Sequence, residues 1–361
     1  MIRIDEIYQS VIWPWVKSNK PGHRLFYFYP FGTTDINNIS TFEIDIKHEY
    51  NYIVLFDQEP IDLARHSTTL ECIKERGWAP NTRPILITSE QDSECVDAVV
   101  QQFNYVPKYY FFHGWAALDW FRGYNYNQLV IAPSNRQIQK TFIMPTRIIG
   151  GQRVHRIIMM YYVLKYGMQH NHISFPWVCP VENETVYDLA LKHMPTYSDV
   201  DEVFGYKDRL DFNFEGESNH PMMSFAITQI KESCESLLFV VNETVADERR
   251  MHLTEKTFKP IALAMPFIIV GPAHSLRYLK EYGFRTFDRF WDESYDTEVN
   301  LHARIKKIAE VLKKLDTMTT QEKQNLYQAM IPTIMYNYNH FYNGDFENIL
   351  KRELFGMLKS I

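Results

Sequence analysis

The sequence predicts an α/β protein made of two Rossmann-like domains facing a cleft, followed by C-terminal helices. Three observations carry that expectation. The chain has 361 residues, a length that two domains of ordinary size share. Short apolar runs alternate with amphipathic stretches, the pattern of strands crossing over to parallel neighbours. Near residue 140 the alternation restarts, and from Val299 it gives way to helix alone. The expected boundaries are 1–139, 140–330 and 331–361, with the last helices packing back toward the first domain.

In the first half, residues 25–29, 52–56, 84–88 and 109–112 read as buried strands, each closed by polar or turn residues. Residues 61–76 and 93–103 carry helical patterns between them. In the second half, 142–148 reads as a strand, Gly150 and Gly151 as a turn, and 154–166 as a buried helix. Then follow strand 236–241, helix 254–264, strand 266–270 and helix 274–282. Beyond Val299, Ile305, Ile308, Val311, Leu312 and Leu315 recur at helical spacing, with Lys306, Lys307, Lys313 and Lys314 on the opposite, solvated face. In open α/β sheets ligands bind at the carboxyl ends of strands, so the chemistry is sought there.

Composition narrows the classes. The net charge of −6 gives no global attraction to nucleic acid, which would need a local basic face. Cys72, Cys95, Cys179 and Cys234 form no CxxC pair and fit no zinc spacing; they read as reduced thiols of a cytoplasmic protein. The acidic start, 1–8, lacks the apolar core of a signal peptide, and the longest apolar run, 260–271, is too short to span a bilayer. No membrane role is expected. Asp199 and Asp201 have metal-binding spacing, but no apolar strand precedes them and they are read as chance.

The strongest local feature is a strand ending at Asn242 and Glu243, then the run Leu253, Thr254, Glu255, Lys256. Thr254 reads as a helix cap and Glu255 as a first-turn acid. The same place suits a sugar nucleotide. A helix N-terminus attracts phosphate, Lys256 neutralises a diphosphate, and Glu255 accepts hydrogen bonds from ribose hydroxyls. Three strand ends of the first half carry further polar groups: Asp57 and Glu59 in one, Glu90 in the next, His113 and Trp115 after the last. Trp115, Trp120 and Tyr124 read either as core or as stacking surfaces.

The segment from Val241 to Lys256, followed by Ala264, Met265, Pro266 and the strand to Gly271, resembles the donor-binding segment of the α1,3-fucosyltransferase family. It also resembles phage-encoded glycosyltransferases, with Gly283, Phe284, Arg285, Thr286, Phe287 and the run 292–296 matching. The resemblance implies the GT-B arrangement of two Rossmann-like domains. It also implies a nucleoside-diphosphate sugar as co-substrate without any other cofactor, and a donor site of Asn242, Glu243, Thr254, Glu255 and Lys256. The run 147–156 is similar to an arginine-rich stretch of such proteins, which adds Arg153 and Arg156 as donor-phosphate ligands. Glu59 before Pro60 resembles the acid–proline element of the acceptor domain.

The expected reaction is transfer of a sugar from a UDP- or GDP-sugar to a hydroxyl, inverting and without a metal, the cations serving the leaving diphosphate. Glu59 is the favoured base, Asp57 the second, and Glu90, His113 and Trp115 line the acceptor site. The resemblance offers two acceptors: 5-hydroxymethylcytosine in double-stranded phage DNA, glucosylated or arabinosylated, in the host cytoplasm, or a glycan such as lipopolysaccharide. A non-catalytic sugar-nucleotide-binding protein on the same scaffold stays open beside them.

Overall fold

A computed structural model describes residues 2–27, 51–76, 83–124, 132–179, 183–194, 197–205, 214, 229–247 and 250–361. They form a mixed α/β structure with two parallel four-stranded sheets. The chain divides into two compact units. The first is Met1–Asp119, Arg249–His252 and Asp345–Ile361; the second is Trp120–Glu248 and Leu253–Gly344.

In the first unit, α1 (Ile4–Glu6) and α2 (Trp13–Asn19) flank a π-helical stretch, Ile7–Ile12. Then come β1 (His23–Tyr27), β2 (Asn51–Phe56), α3 (Leu63–Arg76), β3 (Ile85–Thr88), α4 (Glu94–Phe103), β4 (Val106–Tyr109) and α5 (Phe112–Tyr124), which ends in the second unit. The strands lie in sequential order, β1-β2-β3-β4, all parallel. In β2 every residue from Tyr52 to Phe56 is buried, as expected of a strand covered on both faces. Ser93 caps α4. The strand expected at 109–112 lies instead at Val106–Tyr109. It is an edge strand, where Pro107 is tolerated, and the apolar run after it enters α5. Of the strand expected at 25–29, residues 28 and 29 lie outside the described residues.

The second unit carries β5 (Lys140–Pro145), α6 (Val154–Lys165), β6 (His172–Ser174), α7 (Val186–His193), α8 (Tyr197–Phe204), α9 (Ile230–Glu235), β7 (Ser236–Asn242), α10 (Glu255–Ala262), β8 (Phe267–Val270), α11 (Ser275–Glu281), α12 (Leu301–Asp316) and α13 (Thr320–Asn343). Its strand order is β6-β5-β7-β8. From β5 the chain moves one way to β6 and returns to the other side for β7 and β8. A topological switch point therefore lies between β5 and β7, and open sheets bind ligands at such a point. The short β6 has no expected counterpart in the sequence; three residues are too few to show a period.

The division of the chain departs from the expected linear boundaries. It falls after Asp119 and after Gly344 rather than at 139 and 330, because α13 runs unbroken through Asn343 and packs on α10. Helix α14 (Phe346–Lys359) belongs to the first unit. Glu353 accepts from the Phe111 amide at 2.6 Å, and Leu350 lies against Gly114. Among the described residues no helix is long and apolar enough to cross a membrane.

Candidate functional site

At the switch point of the second sheet, Asn242 ends β7 and Thr146 follows β5. Asn242 Nδ2 donates to Thr146 Oγ1 at 2.7 Å, bridging the two strands, while the buried Asn242 Oδ1 has no partner among the described residues. Glu243 is completely buried. Its carboxylate accepts from the amides of Thr244 (3.0 Å) and Thr254 (3.1 Å) and from the hydroxyls of Thr254 (2.7 Å) and Thr257. Glu243 thus fixes the N-terminus of α10 from outside the helix, a buried anion stabilised by charge-assisted bonds. Thr254 caps α10 as expected, accepting from the Lys256 amide. Glu255 lies in the first turn, and Lys256 Nζ reaches Glu255 at 2.7 Å and the Thr244 hydroxyl at 3.2 Å. The Lys256 side chain is 29% exposed, so a phosphate that approached its ammonium would compete with Glu255.

The arginines separate by role. Arg156 turns inward. Its guanidinium donates to the carbonyls of Ile148 (2.7 Å), Asn242 (3.1 Å) and Glu243 (2.6 Å). It is a clamp between the end of β7 and the loop after β5, and its expected contact with donor phosphate gives way to that backbone role. Burial, and then repulsion by Arg153, pushes Arg156 down to about 9. His155 beside it donates to or accepts from the Glu243 carbonyl at 2.8 Å; burial and Arg156 hold it neutral. Arg147 and Arg153 stay half-buried near the surface. Desolvation, then repulsion by Arg153, lowers the Arg147 pKa. Arg153 makes no ion pair among the described residues. Positive charge is therefore crowded at the start of α6, beside the switch point, and among the described residues no carboxylate pairs with Arg153.

A further arginine outside the sequence motifs above also holds these loops. Arg304 of α12 is 1% exposed and donates to the carbonyls of Gly271 (3.1 Å), Glu298 (2.6 Å), Val299 (2.9 Å) and Ala246. It ties the loop after β7 to the loop after β8. Its signal was available: Arg304, Ile308 and Leu312 share the buried stripe of α12 at four-residue spacing. A cation in that stripe requires buried acceptors.

In the first unit, Asp57 follows β2 and is completely buried. The phenols of Tyr8 (3.0 Å) and Tyr110 donate to its carboxylate. Burial outweighs those bonds and pushes the acid up to about 7. Glu59, the favoured base, is half-buried two residues on, ahead of the buried Pro60. Glu90 is inside: it accepts from the Ile61 amide, from Ser93 Oγ (3.0 Å) and from Arg250 Nη1 at 3.4 Å. Its acid is spent on holding three chain segments, which replaces the expected acceptor contact. Trp115 is completely buried and packs the core instead of offering a stacking face. His113 is buried and meets the His252 ring edge-on at 4.9 Å. Trp120 is half-buried. The side chains of Tyr124 and Asp199 lie outside the described residues.

Comparison of the chain with protein-family models, with characterised proteins and with solved structures returned no match.

Proposed function

We propose that the chain is a nucleotide-sugar-dependent glycosyltransferase of the GT-B arrangement, with the donor held by the second unit and the acceptor hydroxyl deprotonated by an acid of the first. The observation that carries this reading is the switch point between β5 and β7. There the helix N-terminus ordered by Glu243 supplies hydrogen-bond donors, and Arg153, which makes no ion pair among the described residues, supplies positive charge. Anions bind at such helix starts, and a guanidinium fork matches a phosphate of the diphosphate. Developing charge on a leaving diphosphate is stabilised in the same way without a metal.

Asp57, poised near neutrality, supports a general base in the loop after β2, with Glu59 beside it in sequence. The acceptor is a hydroxyl compound, with hydroxymethylcytosine DNA and surface glycans as the two classes that the sequence resemblance brings. A non-catalytic nucleotide-binding protein is the second reading, and the engagement of Lys256 by Glu255 favours it.

Calorimetric titration with UDP and GDP tests the donor site. Arg153→Ala is expected to weaken one of them at least about tenfold, the worth of one charge-assisted bond. Equal affinity in both proteins for both nucleotides would sink the assignment. Mass spectrometry of nucleosides and glycans, after incubation with sugar nucleotides, then separates the acceptors. If Glu59→Gln and Asp57→Asn both turn over at the wild-type rate, neither acid is the base.

A further inference from the structure

Away from the switch point, the second unit has an open groove of about 430 Å³ where the turn after α11 lies along α13. Lys280, Arg285, Asp288 and Arg289 line it with Phe284 and Phe290. Lys280 is paired to Asp288 at 3.3 Å, which leaves the charge of the two arginines. Neither Arg285 nor Arg289 makes an ion pair among the described residues, and both are exposed.

Arg285 is nevertheless held in place. The amide of Asn337, a residue 2% exposed, clamps its backbone on both sides: Nδ2 donates to the Arg285 carbonyl and Oδ1 accepts from its amide, each at 2.8 Å. Its guanidinium lies 3.6 Å from the centroid of the Tyr336 ring. The Tyr336 hydroxyl in turn donates to the Gly283 carbonyl at 3.3 Å. A long, flexible side chain normally loses entropy when it is ordered. Here the ordering is supplied by a buried amide and a ring, and the planar fork is left for an outside acceptor.

We propose that this groove is a second ligand site, distinct from the switch point, and that it takes a small phosphorylated molecule with a flat ring, a nucleoside monophosphate being the simplest. The phosphate sits on the forks of Arg285 and Arg289, and the ring lies against Phe290, which is half-buried. The volume is that of a small-molecule site.

The test is calorimetric titration with AMP, adenosine, inorganic phosphate and a ten-residue oligothymidylate. It uses the full chain carrying Arg153→Ala, which weakens the switch-point site. AMP is expected to bind, and to bind at least tenfold more tightly than adenosine or inorganic phosphate. Adding Arg285→Ala and Arg289→Ala is expected to weaken it at least tenfold. Both arginines are exposed, so the fold tolerates their loss; Tyr336→Leu, which removes the ring beneath Arg285 and the hydroxyl bond to Gly283 but leaves both guanidiniums, should weaken AMP less. Absent AMP binding, AMP affinity unchanged by the double substitution, or inorganic phosphate binding as well as AMP would each overturn the proposal. Binding of the oligonucleotide alone would overturn it too, in favour of a nucleic-acid surface. Because Arg285 and Arg289 line this groove and not the switch point, loss of AMP affinity on their substitution is separable from the donor-site assignment.

Discussion

Asp57 and Glu293 are two acids whose burial governs how they respond to pH. Burial pushes each to about 7, from ordinary values of 3.8 and 4.5, against the hydrogen bonds that they accept. The folded chain therefore holds these protons more tightly than the unfolded chain. Each acid's contribution to stability is complete below its ordinary value. It falls as pH rises toward 7, by about 1.4 kcal/mol per pH unit, and is gone above that. Urea unfolding at pH 5.5 and pH 8 should show wild type gaining on Asp57→Asn at the lower pH by at least about 1 kcal/mol. Glu293→Gln should behave likewise. A constant difference between wild type and variant would show that the acid is ionised throughout.

At the scale of elements, the carboxyl-end loops of the second sheet are held by arginines that donate to backbone carbonyls. Arg304 spans the loops after β7 and β8, and Arg156 spans those after β5 and β7. Removing Arg304 leaves several buried carbonyls without a donor, each costing roughly 1–3 kcal/mol. Arg304→Met is expected to lose at least about 3 kcal/mol in denaturant unfolding. Arg304→Lys should not recover it, because one ammonium cannot replace the planar fork. Full stability of either variant would mean that water serves those carbonyls. Thr254→Ala, which removes only the cap of α10, should cost about 1 kcal/mol.

For the whole molecule, the first unit is assembled from three stretches of chain, the last of which, Asp345–Ile361, brings in α14. Phe346, Leu350 and Leu354 of that helix are fully buried. A chain ending at Gly344 loses those side chains at once, and each large apolar truncation in a core costs about 2–5 kcal/mol. Hydrogen exchange should then show β3 and α5 exchanging far faster, while β5 and β7 keep their protection. Uniform loss of protection in both sheets would show instead that the two units unfold as one. Donor turnover, if the glycosyltransferase reading holds, should survive EDTA, because arginines and a helix start do the work at the diphosphate; loss restored by magnesium would contradict that.

What the sequence determined by itself is local. The period of the apolar residues placed β2, β7, β8 and α4 within a residue or two, since burial of one face or both is written into neighbouring positions. The cap at Thr254 was legible for the same reason: donor and acceptor lie two residues apart. The order β6-β5-β7-β8, and with it the switch point, was decided only in three dimensions, because strand order depends on which distant segments cover which faces. So were the fates of the charged residues. Arg153 and Arg156 stand three apart and read alike in the sequence, yet Arg156 finds carbonyls at Asn242 and Glu243, 86 and 87 residues away, and Arg153 does not. Glu90 likewise meets Arg250, brought from far along the chain. Desolvating a charge is costly enough that its nearest buried partners fix its role, and those partners are chosen by the tertiary fold.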